Sequence, residues 1–155
     1  MQFGDYQCPY CRQATAVLDE LIGRHGHRLR YVWRHLPLDE IHPYARRAAH
    51  AAEAAARQGA FWAMHQRLLA ADDLDGDALV AMAAAAGLDT GRFVADLDSP
   101  AVADRVDADL RSARNSGADG TPTFFLDGHR IDGSLVDIIA AVERSLAAPT
   151  GPKGR

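Results

Sequence analysis

Strand-like sequence occurs only near the two ends of this chain, and the stretch between them reads as helix. Gln2-Phe3-Gly4 looks like the tail of one strand. Leu29 to Leu36, LRYVWRHL, is rich in β-branched and aromatic residues and predicts a second, which Pro37 stops. Far downstream, TFFLDGHRID predicts two short strands joined by Asp127-Gly128, a strong hairpin signal. About 75 residues of helical pattern lie in between. Any sheet must therefore close across that block. The front of the chain supplies a βαβ unit and the back a ββα unit. Together they predict an α/β fold: one mixed sheet with helices on both faces and a helical insertion between its halves.

Spacing and caps mark the helices. Ala14, Val17, Leu18, Leu21 and Ile22 recur at helical intervals after Pro9, which suits a first turn because its missing N–H costs nothing there. Gly23 and Gly26 bracket the expected end. Pro43 to Arg57 carries an alanine face, with Arg46, Arg47, Glu53 and Arg57 elsewhere on its surface, and Gly59 ends it. Phe61, Trp62, His65, Leu68 and Leu69 mark another helix, and shorter ones are expected near 77–86 and 90–97. Ser99-Pro100 opens a further helix, with serine as cap and proline at the first position. Ser134 to Asp137 caps the last one in S-x-x-D fashion, ahead of a stripe of Leu135, Ile138, Ile139, Val142 and Leu146. The expected organisation is one domain over residues 1–147, with the insertion at about 40–117 and a disordered tail over 148–155.

The chain has 155 residues and a net charge of -4, so nothing suggests binding to a phosphate backbone. No apolar run reaches the roughly 18 to 20 residues that a membrane span needs. Met1 is followed by Gln2-Phe3-Gly4, not by a basic and then apolar leader. As written, the chain is expected to work without entering a membrane, in the cytoplasm unless it is a domain excised from a longer exported protein.

The chemistry lies in Cys8-Pro9-Tyr10-Cys11, which holds both cysteines of the chain. Their disulfide would close too small a loop to act as a structural staple. A zinc site needs four ligands, and no second cysteine pair exists; His25, His27, His35 and His42 are scattered. Redox chemistry is the better reading, since a CxxC in a βαβ context is the expected arrangement for it. Cys8 falls where a helix begins, and the free N–H groups and dipole there favour a thiolate. Cys11 lies one turn on along the same face, placed to attack a mixed disulfide formed at Cys8. Pro9 and Tyr10 carry no charge, which leaves the helix dipole as the lever on Cys8. His65, Phe61 and Trp62 read as core, and Arg28, Arg30 and Arg34 as a solvated strand face.

The succession of these motifs resembles the thioredoxin superfamily, and the long helical insertion resembles its DsbA branch. The chain is similar to bacterial DsbA-like thioredoxin domains, including those fused to NhaA-type sodium/proton antiporters. FGDYQCPYC, YVWRHLPL, HPYARRAAHAAEAA, QGAFWAMH and GTPTFFLDG carry the resemblance, in order, over residues 3 to 128. It implies a thiol–disulfide oxidoreductase that acts on protein or peptide thiols and disulfides. No cofactor is implied beyond the Cys8–Cys11 disulfide. Cys8 is then the exposed nucleophile and Cys11 the buried resolving thiol, and Tyr10 tunes potential and partner choice. Chemistry alone favours a trans bond before Pro122; the resemblance implies a cis Thr121–Pro122 bond against the disulfide, with the Thr121 backbone pairing an extended substrate. The redox partner is not readable. A redox-sensing module of a transporter and a glutathione-dependent transferase or isomerase of the same fold remain as alternatives. Family members often carry an acid six residues before the first cysteine. Here that position is Gln2, which cannot titrate, so proton transfer from Cys11 is expected to rely on water.

Overall fold

The structure, a computed structural model, describes residues 1–147. The expected tail at 148–155 lies outside the described residues. Four strands form one mixed sheet in the order β2-β1-β3-β4. Strand β1 (Gln2–Gly4) runs parallel to β2 (Trp33–His35) and antiparallel to β3 (Thr123–Leu126), which pairs with β4 (His129–Ile131). The early and late strands thus meet in one sheet across the helical block, as the pattern of strand signals requires. Asp127 and Gly128, at φ 50° and 87°, make the tight turn between β3 and β4. Glycine takes that backbone without steric cost, and aspartate is among the residues that tolerate it.

Strand β2 is shorter than the predicted Leu29 to Leu36. Pairing defines a strand, and β1 offers only three residues to pair with. The last rung is the Gln2 N–H donating to the Val32 carbonyl at 2.8 Å. Gly4 is required by a close approach: a Cβ there would sit 2.2 Å from the Trp33 ring, which lies across β1.

Helix α1 (Pro9–His25) and helix α7 (Leu135–Ala147) cover one face of the sheet, where Ala14, Phe124 and Ile138 pack together. Helix α1 runs through Gly23 and is capped at Gly26, so only the second of the two glycines marks its end. The S-x-x-D box ahead of α7 forms, with the Ser134 N–H donating to Asp137 Oδ2 at 2.7 Å. On the other face Phe3 and Leu36 pack with Ala113 of helix α6 (Pro100–Asn115) and with Ala118.

The helical insertion comprises α2 (Ala45–Ala56), α3 (Phe61–Ala70), α4 (Gly76–Ala85), α5 (Thr90–Leu97) and α6. Its centre is α2, whose Ala45, Ala48, Ala49, Ala51, Ala52, Ala54 and Ala55 are buried. Side chains this small let neighbouring helices approach closely. Asp75, Asp89 and Ser99 cap α4, α5 and α6 through their side chains.

The arginine cluster divides. Arg28 and Arg30 are exposed, but Arg34 reaches inward and donates to Asp109 Oδ1 at 2.7 Å. Asp109 is fully buried and also accepts from Arg105 at 2.7 Å and from the His35 N–H at 3.0 Å. Arg34 therefore ties β2 to α6, a role the solvated-face reading missed because its partner lies 75 residues away.

Candidate active site

The site begins where β1 hands over to α1. Cys8 is the N-cap residue of α1, with extended backbone angles of φ -71° and ψ 121°. Its N–H donates to the Asp5 carbonyl at 3.2 Å, and its carbonyl accepts the first helical bond from Arg12 at 3.2 Å. Pro9 follows in the first turn, as its missing N–H allows. The sulfur of Cys8 thereby faces the open N–H groups of the helix.

That setting lowers the Cys8 pKa from 9.0 to about 5. The main cause is the Cys11 thiol, which donates to the Cys8 sulfur; the Thr121 hydroxyl and the N–H groups of Cys11 and Tyr10 add to it, while burial works against it. The helix terminus expected to be the chief lever thus ranks behind the second cysteine. Cys11 moves the opposite way. Its proton is held by the bond to Cys8 and by burial, which push its pKa far up, against a contribution from the Asp5 N–H, which donates to Cys11 Sγ at 3.5 Å.

Cys11 is buried, as the resemblance implied. Cys8 is also buried, with 3% of its surface exposed, where an exposed nucleophile was expected. The difference comes from the loop before β3. Cys8 Sγ lies 3.4 Å from the Thr121 carbonyl oxygen, and that contact covers the sulfur. The Thr121–Pro122 bond is cis. Pro9 and Tyr10 are exposed beside it, Tyr10 to 65%. A groove of about 400 Å³ runs from Tyr10 and Gln13 past Pro122 to Arg130, Ile131 and Leu135.

Two groups of supporting residues went unread in the sequence. Asp5, read as loop, is buried and holds the active-site turn. Its carboxylate accepts from the Gln7 N–H at 2.7 Å, from the Leu38 N–H at 2.9 Å and from His42 Nδ1 at 2.8 Å. The D-x-x-C spacing was the available signal, since it is the spacing of a turn that presents a helix cap. Beneath the cysteines lies an aromatic cluster. Tyr6 stacks on Trp33 at 5.0 Å and its hydroxyl pairs with His65 Nδ1 at 2.9 Å. His65 is the hydrogen-bonded core histidine that its stripe predicted, and burial, with the neighbouring His35, lowers its pKa to about 3. Among the described residues, no three His, Cys, Asp or Glu side chains gather to hold a metal, and no helix is long and apolar enough to cross a membrane.

A thioredoxin-type sheet that places a CXXC pair at the start of α1, with a long helical insertion, defines a DsbA-like oxidoreductase fold. Residues 2–137 match the DSBA-like thioredoxin domain, and the chain belongs to that family. It is 48% identical over 135 residues to a Na(+)/H(+) antiporter NhaA of Herminiimonas arsenicoxydans, covering 86% of this chain and 21% of that protein. It is 44% identical over 151 residues to NhaA 3 of Salinispora tropica, covering 96% and 23%. The chain thus spans less than a quarter of these relatives' length. A thioredoxin-like oxidoreductase from Silicibacter pomeroyi superposes with a TM-score of 0.82 at 30% identity, over 95% of this chain and 85% of that one. BdbD from Bacillus subtilis shares the fold at a TM-score of 0.81 and 19% identity, over 95% and 86%.

Proposed function

We propose that this domain is a thiol–disulfide oxidoreductase acting on protein thiols, and that it works chiefly as a disulfide donor. One observation carries the reading: Cys8 caps α1, where the Cys11 thiol and the open N–H groups of the first turn meet its sulfur and lower its pKa to about 5. A stabilised thiolate favours the reduced protein and so makes its disulfide more oxidising.

The exchange runs in two displacements. A substrate thiolate attacks Cys8 Sγ in the Cys8–Cys11 disulfide, forming a mixed disulfide and expelling Cys11, which takes up a proton. A second substrate thiolate then attacks its own sulfur in that mixed disulfide. The substrate leaves oxidised and Cys8 leaves as a thiolate, a good leaving group at neutral pH. In the reductive direction Cys8 attacks first and Cys11 resolves. Thr121 and Pro122, against the Cys8 sulfur, are the proposed backbone platform for an extended substrate, with Tyr10 and the adjoining groove receiving its side chains. Oxidative refolding of a reduced test protein measures the activity, and a Cys8→Ser variant that works at the full rate would sink the proposal.

The similarity to NhaA antiporters supports a second reading, in which the disulfide state alters a docking surface on a transporter. Weak catalysis together with strong redox-dependent binding to such a transporter would favour it.

A further inference from the structure

We infer that the backbone N–H of Asp5 is a catalytic donor that meets the negative charge on Cys11 during exchange, and that the Asp5 carboxylate and His42 are positioning residues for it. This rests on the exchange reaction proposed above and assigns groups to a step that the reaction needs. Cys11 carries that charge in both directions: as the group expelled when a substrate thiolate attacks Cys8, and as the nucleophile that resolves a mixed disulfide. Cys11 is buried, and a buried charge is costly unless a donor meets it.

The donor is in place. The Asp5 N–H donates to Cys11 Sγ at 3.5 Å, with both thiols free. Of the contacts that favour a thiolate on Cys11 it is the largest, ahead of Thr121. Cys8 acts most strongly the other way, followed by burial. Once Cys8 is joined to a substrate, its sulfur carries no charge and no longer holds the Cys11 proton. Burial then opposes the Cys11 thiolate, and the Asp5 N–H is the chief contact in its favour.

The sheet explains why this N–H is open. Strand β1 pairs with β3 through Phe3 and Thr123. Continued by two residues, that register would set Asp5 opposite Thr121. Both backbone groups of that rung face sulfur instead. The Asp5 N–H meets Cys11 Sγ, and the Thr121 carbonyl lies 3.4 Å from Cys8 Sγ.

The rest of Asp5 holds the N–H still. Its carbonyl accepts from the Cys8 N–H at 3.2 Å. Oδ1 accepts from the Gln7 N–H at 2.7 Å, and Oδ2 from the Leu38 N–H at 2.9 Å and from His42 Nδ1 at 2.8 Å. A fixed donor aimed where charge develops needs no reorganisation during the reaction. In oxidation of a substrate, the Cys8–Cys11 bond breaks, its electron pair leaves on Cys11 Sγ against this N–H, and Cys11 then takes a proton from water. In resolution, the Cys11 proton passes to water and the thiolate attacks Cys8 Sγ. The bond from Cys8 to the partner breaks, and its electron pair leaves on the partner's sulfur.

Joining a Met1–Gln7 thioester to a fragment that begins at Cys8 gives the full chain with an ester in place of the amide between Gly4 and Asp5. The ester removes the N–H and keeps every side chain. Reduced protein mixed with dithiobis(nitrobenzoate) releases the coloured thiolate twice: first when Cys8 attacks the reagent, then when Cys11 resolves the mixed disulfide. Loss of one hydrogen bond to a charged group should move the pH midpoint of the second phase up by about one to two units. At about pH 8 that phase should slow about three- to tenfold relative to the first, since the thiolate that remains is more nucleophilic. His42→Ala should move the midpoint in the same direction, and His42→Asn, whose amide N–H can replace Nδ1, should bring it back. A midpoint within about 0.3 unit of the parent's in the ester protein overturns the inference. So does a loss shared equally by both phases in the ester protein and in His42→Ala, since that marks a structural role. No first phase in the parent protein would instead remove the exchange reaction itself, and this inference with it.

Discussion

Replacing Cys11 by alanine separates the two levers that act on Cys8. The Cys8 pKa is lowered from 9.0 to about 5, and the Cys11 thiol is the largest single cause. A hydrogen bond to a charged group is worth roughly 1.5 to 3 kcal/mol, which corresponds to about one to two pKa units. The helix N–H groups and the Thr121 hydroxyl remain in the variant. The Cys8 pKa should therefore rise to between about 6 and 7 rather than return to its ordinary value. At pH 6 the thiolate fraction would fall from about nine-tenths to about a quarter. Thiolate absorbance followed against pH reads this directly, and the rate of alkylation by iodoacetamide should follow the same curve. A Cys8 pKa still near 5 in Cys11→Ala would refute the reasoning and assign the shift to the helix terminus.

The same thiol makes the redox equilibrium depend on pH. A lowered pKa stabilises the reduced protein as pH rises above about 5, and that stabilisation is lost as pH falls through 5. At pH 7 it is at most about 3 kcal/mol, or about 60 mV. Against glutathione, the equilibrium constant for reduction should rise about tenfold per pH unit from about pH 5 to 8 and be flat below; flatness throughout would contradict the assignment. Gly4→Ala should cost about 1 to 3 kcal/mol in urea unfolding, because its Cβ would meet the Trp33 ring at 2.2 Å. Asp109→Ala should cost about 3 kcal/mol, the low end for a broken buried pair, because Arg34 and Arg105 reach solvent and can rehydrate. An unchanged urea midpoint in either variant would count against the contact it removes.

Local signals in the sequence were reliable wherever the physics is local. Asp127-Gly128 made its turn, Ser99 and Ser134 capped their helices, and the alanines of α2 turned inward. The CPYC motif fell at a helix start because Pro9 belongs in a first turn. The failures concern residues whose partners are remote in the chain. Residues 29 to 31 have strand composition but no strand beside them. Arg34 looked solvated because Asp109 is out of view in the sequence. Asp5 looked like loop because Leu38 and His42, which its carboxylate binds, come more than 30 residues later. The covering of Cys8 by Thr121 is of the same kind.

That covering has a consequence for how the protein is made. Thr121 lies 113 residues beyond Cys8, so at ordinary rates of synthesis about 6 to 23 s separate their appearance at the ribosome. During that interval Cys8 and Cys11 are both present, while β3, which closes the sheet, does not yet exist. Helix α1 alone can already present open N–H groups to the Cys8 sulfur, so the nucleophile is activated before it is shielded. Contacts this distant also make folding slow. The nascent chain therefore passes through a period in which its most reactive group is unguarded, and an oxidising surrounding would seal the pair before the fold is complete.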